Sequence, residues 1–241
     1  GRTRHGPAQL RPSTEASGDP HGHHRAPSVA HTIRGDRLAP IIFPAYTVGL
    51  AAWLCVLEGM SLATDRPAYG RLFEFWRSIF AVAFAMDVVS GIVTAFQFGT
   101  NWSELSRRTG AIQGPLLGYE SFTAFALEAS FFGVLMFGRN RMPRWFYFFS
   151  CLMVAIGTTM SSFWIMVNNS WIQYPVGFEM GADGVFIPTD WSAIIFSPVL
   201  LVRFPHMLIA AYLTSAFCIA ATGAWTSCEA DSKSRRAQCC G

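Results

Sequence analysis

Residues 114–138 read GPLLGYESFTAFALEASFFGVLMFG, an apolar run that holds two glutamates and no lysine or arginine. A run of this length crosses the hydrocarbon core of a bilayer as a helix, because only a helix satisfies its own backbone hydrogen bonds where water is absent. Carboxyl groups are costly at that depth, so glutamates inside such a run are candidates for function by default. Working outward, apolar runs of the same kind cover residues 41–63, 75–98, 145–167 and 199–225, with 116–137 as the third of five. The fold predicted is all-α, a polytopic transmembrane helix bundle of about five spans.

Composition agrees. Apolar residues make up 51% of the 241 and charged residues only 14%, against about 25% charged in a soluble domain. The net charge of +3 is spread over loops and builds no basic face for nucleic acid. Among six cysteines no CxxC occurs, and Cys55, Cys151 and Cys218 fall inside apolar runs, where a thiol packs as a small apolar group. Trp76, Trp102, Trp145 and Trp171 sit near the ends of spans, as interfacial belts require.

The ends of the chain differ from this core. Residues 1–40, rich in Pro, Gly, Arg and His, read as a disordered or aberrant tail, and residues 226–241 as an aberrant polar one. His21, His23 and His24 are metal-binding residue types but share no fixed geometry in such a tail. With residues 1–40 left out, one side of the membrane carries Arg66, Arg71, Arg77, Arg139, Arg141, Arg144, Lys233, Arg235 and Arg236, and the other only Arg107, Arg108 and Arg203. The positive-inside rule then puts the first group in the cytoplasm and the N-terminus outside, with the loops 99–115 and 168–198 facing outward.

Four ionisable residues inside spans stand out: Asp87, Glu120, Glu128 and His206. On a regular helix Glu120 and Glu128 lie roughly 12 Å apart along the axis and roughly 80° apart around it, so both can face one interior at different depths. Read from the residues alone they are a proton relay, a ligand pair, or two hydrogen-bonded acids in a helix contact. His206 is either a metal or haem ligand or a hydrogen-bonding side chain at a helix interface. Ser161 and Ser162 either carry protons through water or bond the preceding turn. Gly91, Gly133 and Gly157 are read as sites of close helix packing.

Specific strings add to this. AFQFGTNW (95–102), GPLLGYESFTAFALEASFFGVLMFG (114–138), SSFWIMVNNSWIQYPVG (161–177) and RFPHMLIAAYLTSAF (203–217) closely resemble the large haem-bearing subunit, subunit I, of cytochrome bd-type quinol oxidases. The resemblance runs from about Ile41 to Trp225 and marks 41–225 as a haem-binding helical core. It implies a respiratory terminal oxidase of the bacterial cytoplasmic (inner) membrane that takes electrons from quinol and reduces O2 to water beside a smaller subunit II. It implies that His206 ligates a low-spin haem b and that Glu120 lies at the oxygen-reducing haem. Glu128 and Ser161 match a proton route, and Gln97 and Asn169 match polar positions of unassigned role. A high-spin haem b and a haem d or b at the oxygen site are expected only in a complete member.

The sequence also departs from that family. Pro40 stands where a histidine ligand usually precedes the IIFP string, Asp87 where glycine is usual, and resemblance stops after Trp225. The two foreign ends are read as frameshift or gene-boundary products around a genuine core, with a natural short variant as the other possibility. A non-catalytic membrane remnant or assembly partner is therefore the rival function.

Overall fold

The computed structural model describes residues 26–239, with side chains described over 42–122 and 126–229. In chain order come α1 (Ala26–Thr64), α2 (Pro67–Thr100), α3 (Ser103–Tyr119), a π-helical turn (Glu120–Phe125), α4 (Ala126–Phe137) and α5 (Arg144–Gln173). A short antiparallel pair follows, β1 (Phe178–Met180) and β2 (Phe186–Pro188), then α6 (Trp191–Ile195) and α7 (Pro198–Cys239). Five stretches are long and apolar enough to cross a membrane: Ile42–Thr64, Pro67–Thr100, Ser103–Phe137, Arg144–Gln173 and Trp191–Glu229. The expected bundle of five spans is therefore present, with a small hairpin that hydropathy did not announce.

Helix boundaries depart from the apolar runs for local reasons. Helix α2 starts at Pro67, eight residues before the apolar run, because a proline in the first turn is already set at a helical φ and has no N–H to satisfy. Most of the expected loop 99–115 is helix α3. There Glu104 accepts from Arg107 at 2.9 Å and from Arg108 at 2.7 Å, pairs at i,i+3 and i,i+4 that support a polar helical turn. Backbone 26–40, expected to lack structure, belongs to α1, and α7 runs beyond Trp225 to Cys239. A helix already nucleated by an apolar span extends at little further cost. Residues 1–25, with His21, His23 and His24, lie outside the described residues.

Two apolar clusters hold the spans together. One joins Leu50, Leu54 and Leu57 of α1, Phe73, Trp76, Phe80 and Phe84 of α2, Leu135 of α4, and Tyr147, Cys151 and Val154 of α5. The other joins Ile112 and Leu116 of α3, Val167 and Trp171 of α5, Ile194 of α6 and Leu200 of α7. The loop before α6 is pinned by Gly177, whose φ of +70° suits glycine and whose carbonyl accepts from Thr189 and Asp190. A Cβ there would meet the Asp190 carbonyl oxygen at 2.5 Å.

Of the three glycines expected at close helix contacts, Gly157 is buried on α5, while Gly91 and Gly133 are not at such contacts; Gly49, outside the three, is. A Cβ at Gly91 or Gly133 would meet nothing, whereas one at Gly49 would collide with the Ser215 side chain and the Ala211 carbonyl of α7. The Ser215 hydroxyl donates to the Tyr46 carbonyl at 3.0 Å, so α1 and α7 meet backbone to backbone where glycine removes the obstacle.

Candidate functional site

The π-helical turn begins at Glu120, and it changes the geometry that a regular helix would impose. A π turn advances roughly 20° less per residue than an α turn, so six residues of it carry the offset between Glu120 and Glu128 from roughly 80° on one side to roughly 40° on the other. The two glutamates therefore come onto nearly one face. Both lie within electrostatic reach of each other and of Asp87 on α2. Three carboxyl groups from two neighbouring spans thus lie within electrostatic reach of one another.

Hydroxyl groups from two further spans complete the set. The Thr47 hydroxyl of α1 donates to Asp87 Oδ2 at 2.8 Å, and the Ser161 hydroxyl of α5 donates to Glu120 Oε1 at 3.4 Å. Glu128 is buried, and its Oε1 has no hydrogen-bond partner. Among the described residues no arginine or lysine forms an ion pair with any of the three carboxyls. Nor do any three His, Cys, Asp or Glu side chains there gather closely enough to hold a metal ion. The ring of Tyr119 stacks on that of Trp164 with centroids 5.5 Å apart, tying the start of the π turn to α5 beside the Ser161 contact. A cation-free set of this kind, with Glu128 buried and Asp87 and Glu120 half-buried, can exchange protons in step with charge that arrives nearby, since uncompensated charge in low dielectric is expensive.

His206 lies apart from these acids. It is exposed on α7, within a stripe of exposed apolar side chains formed by Val202, Ile209, Leu213 and Phe217. No hydrogen bond to its imidazole forms among the described residues. An unpartnered imidazole on an apolar face suits a ligand that brings its own apolar surface. Of the two other polar positions, Gln97 is half-buried and Asn169 is exposed. The neighbouring Asn168 is the buried one, with an unpartnered Oδ1. An apolar cleft of about 560 Å³ lies between α1, α5 and α7, lined in part by Ala52, Met160, Phe163 and Tyr212, and none of the sequence-predicted residues lines it.

The comparisons with known proteins meet this geometry. The family model described as cytochrome bd terminal oxidase subunit I matches residues 38–239. The chain belongs to that family. It is 38% identical over 184 residues to cytochrome bd ubiquinol oxidase subunit 1 of Bacillus subtilis, covering 76% of this chain and 39% of the relative. To cytochrome bd-II ubiquinol oxidase subunit 1 of Escherichia coli it is 36% identical over 185 residues, covering 76% and 36%. The solved bd oxidase from Geobacillus thermodenitrificans matches with a TM-score of 0.74 and 26% identity over 79% of this chain and 44% of that one. The chain thus spans less than two-fifths of the length of these two relatives. It is a multi-pass membrane protein of the cytochrome bd subunit I family, and the matched region takes in the carboxyl set, Ser161 and His206 alike.

One ionisable residue inside a span went unread in the sequence. Glu58 in α1 is buried, and Arg139 reaches it from the loop after α4 at 3.5 Å. The signal was available, an acid within the apolar run 41–63, but its partner lies far along the chain.

Proposed function

We propose that the chain is part of a membrane terminal oxidase in which electrons from quinol pass through haems to O2, giving water. The observation that carries this reading is that Asp87, Glu120 and Glu128 lie within electrostatic reach of one another inside the bundle without a cation. Oxygen reduction consumes protons as fast as electrons, so a buried acceptor site needs a protein group that delivers them. In this reading Glu128 holds a proton at its unpartnered Oε1 and passes it toward Glu120, while Ser161 orients the Glu120 carboxyl. Thr47 fixes Asp87 as the third member.

His206 would hold a low-spin haem b, and its exposed apolar surroundings fit such a group. Haem, when bound, supplies one-electron chemistry that side chains lack. A high-spin haem b and a haem d or b at the oxygen site belong to the complete assembly, together with a smaller subunit II. In this reading the site lies in the bacterial inner membrane and the N-terminus outside, an orientation supported by the distribution of arginines and lysines. The alternative, a non-catalytic remnant or assembly partner, is favoured by Pro40, which stands where the resembling family carries a histidine ligand.

The test is quinol-dependent oxygen uptake, with reduced-minus-oxidised spectra, in membranes carrying the chain within its oxidase complex. His206→Ala should abolish the low-spin b-type band, and Glu128→Gln should slow uptake while that band stays. Wild-type uptake in Glu128→Gln membranes would take the carboxyl set out of the reaction. An unchanged band in His206→Ala would make this histidine a packing residue, and no uptake by any assembly containing the chain would favour the remnant.

A further inference from the structure

A second polar site lies at the other end of α4. A cavity of about 320 Å³ is lined by Arg77 of α2, by Met136 and Phe137 at the end of α4, and by Arg139, Asn140 and Arg141 of the following loop. Three guanidinium groups share it, and their distribution of partners is uneven. Arg139 is held in place, by Glu58 at 3.5 Å and Glu74 at 3.6 Å, with its guanidinium 4.7 Å from the centre of the Phe73 ring. Gly70 leaves room for it, since a Cβ there would come within 3.1 Å of Nη2. Neither Arg77 nor Arg141 forms an ion pair among the described residues. Arg77 Nε is sealed from solvent with no hydrogen-bond partner, and the sealed Arg139 Nη1 makes no hydrogen bond and has only the Glu58 carboxylate at 3.5 Å.

Unpartnered buried donors are costly and call for an acceptor. Guanidinium forks match the oxygens of a phosphate two at a time, so the chemistry that answers three arginines in one cavity is a phosphate oxyanion. Two sources carry that group, a phospholipid headgroup and free phosphate. The surroundings favour the lipid: Phe137 is 76% exposed and Trp145 67% exposed at the adjoining helix ends, the aromatic signature of the headgroup level. Met136 and Phe137 in the lining offer acyl chains an apolar edge. We propose that Arg77, Arg139 and Arg141 bind the phosphate of an anionic phospholipid, with Arg139 fixed as the floor of the site and Arg77 and Arg141 as its adjustable contacts. Basic pockets between helices at the membrane surface suit such headgroups in general.

The experiment places the 241-residue chain in nanodiscs of equal parts phosphatidylglycerol and phosphatidylcholine and measures the lipid retained on release by native mass spectrometry. Wild type should keep phosphatidylglycerol well above its share of the bilayer. Arg77→Gln and Arg141→Gln should each weaken retention roughly fivefold, and the double variant more, the factor expected for one basic residue at an anionic surface. Arg141 is exposed and unpaired, so its variant carries the test even where the double variant does not fold. Retention of the two lipids in their bulk ratio by wild type, or an undiminished preference in Arg141→Gln, would overturn the proposal. Displacement of the lipid by millimolar inorganic phosphate would overturn it too, by assigning the site to a soluble anion.

Discussion

Glu58 and Glu128 are buried to the same degree, 4% and 6% exposed, and each lies inside a span, yet their surroundings are opposite. Glu58 has Arg139 at 3.5 Å, and Arg139 is in turn braced by Glu74 and by the rings of Phe73 and Tyr147. Neither buried oxygen, Oε2 of Glu58 or Oε1 of Glu128, makes a hydrogen bond, but Glu128 has no cation beside it and only other acids within electrostatic reach. A buried charge that is paired holds helices in register, whereas a buried acid without a partner costs the fold something and is kept for chemistry. Burial alone does not separate the two; the partner does.

The largest expected effect breaks the paired member. Arg139→Ala strands the Glu58 carboxyl in the apolar cluster and should lower stability by about 3 kcal/mol, the typical cost of removing one side of a buried pair. The measurement is the unfolding midpoint of the purified chain in detergent. Glu128→Gln, measured alongside, should cost less than about 1 kcal/mol, since it keeps the volume and removes no partnered bond. Equal losses in the two variants would erase the distinction between structural and chemical acid.

A second contrast moves from stability to turnover. Within the oxidase complex, Glu128→Gln should slow quinol-dependent oxygen uptake by at least about tenfold, a floor set below the roughly 10²–10⁴-fold typical of a lost acid–base group. Glu58→Gln should leave uptake per folded complex within about twofold of wild type. Uptake normalised to haem content separates this from a loss of folded protein. A tenfold loss in Glu58→Gln with normal haem content would bring Glu58 into the proton route and make Arg139 part of it.

Sequence made the spans legible because length and hydropathy are local properties, and the apolar runs 116–137 and 145–167 fall inside single spans of the structure. It could mark Glu120 and Glu128 as expensive, but not bring them onto one face, because no residue type announces a π turn. The pairing of Glu58 with Arg139 and of Thr47 with Asp87 was invisible for another reason: both join distant parts of the chain. Adjacent Asn168 and Asn169 differ only in the helix face they occupy, which the bundle decides. Gly49 could not be ranked above Gly91 or Gly133 without knowing that Ser215 lies opposite. The hairpin had a turn signal in Gly181–Gly184, but strands of three residues carry no periodicity to read.

The smallest effect concerns Asp87, which stands between the two classes. It lies among acids, as Glu128 does, but it is half-buried where Glu128 is buried, and it has a neutral partner in the Thr47 hydroxyl at 2.8 Å. Two substitutions separate charge from hydrogen bond. Asp87→Asn keeps an acceptor for Thr47 and removes the charge; Asp87→Gly removes both and leaves the buried Thr47 hydroxyl only its own helix, through the Pro44 carbonyl at 3.1 Å. Stability should therefore fall by about 1 kcal/mol in the glycine variant and by less in the asparagine variant. Uptake should change together in both, by roughly threefold, because each removes one of three interacting acids, and a neighbouring charge acts on proton affinity without being part of the path. Paired measurements of unfolding midpoint and haem-normalised uptake on the two variants decide the matter. If uptake follows the hydrogen bond instead, falling only in Asp87→Gly, then Asp87 works by positioning α1 against α2. The chemical set would shrink to Glu120 and Glu128.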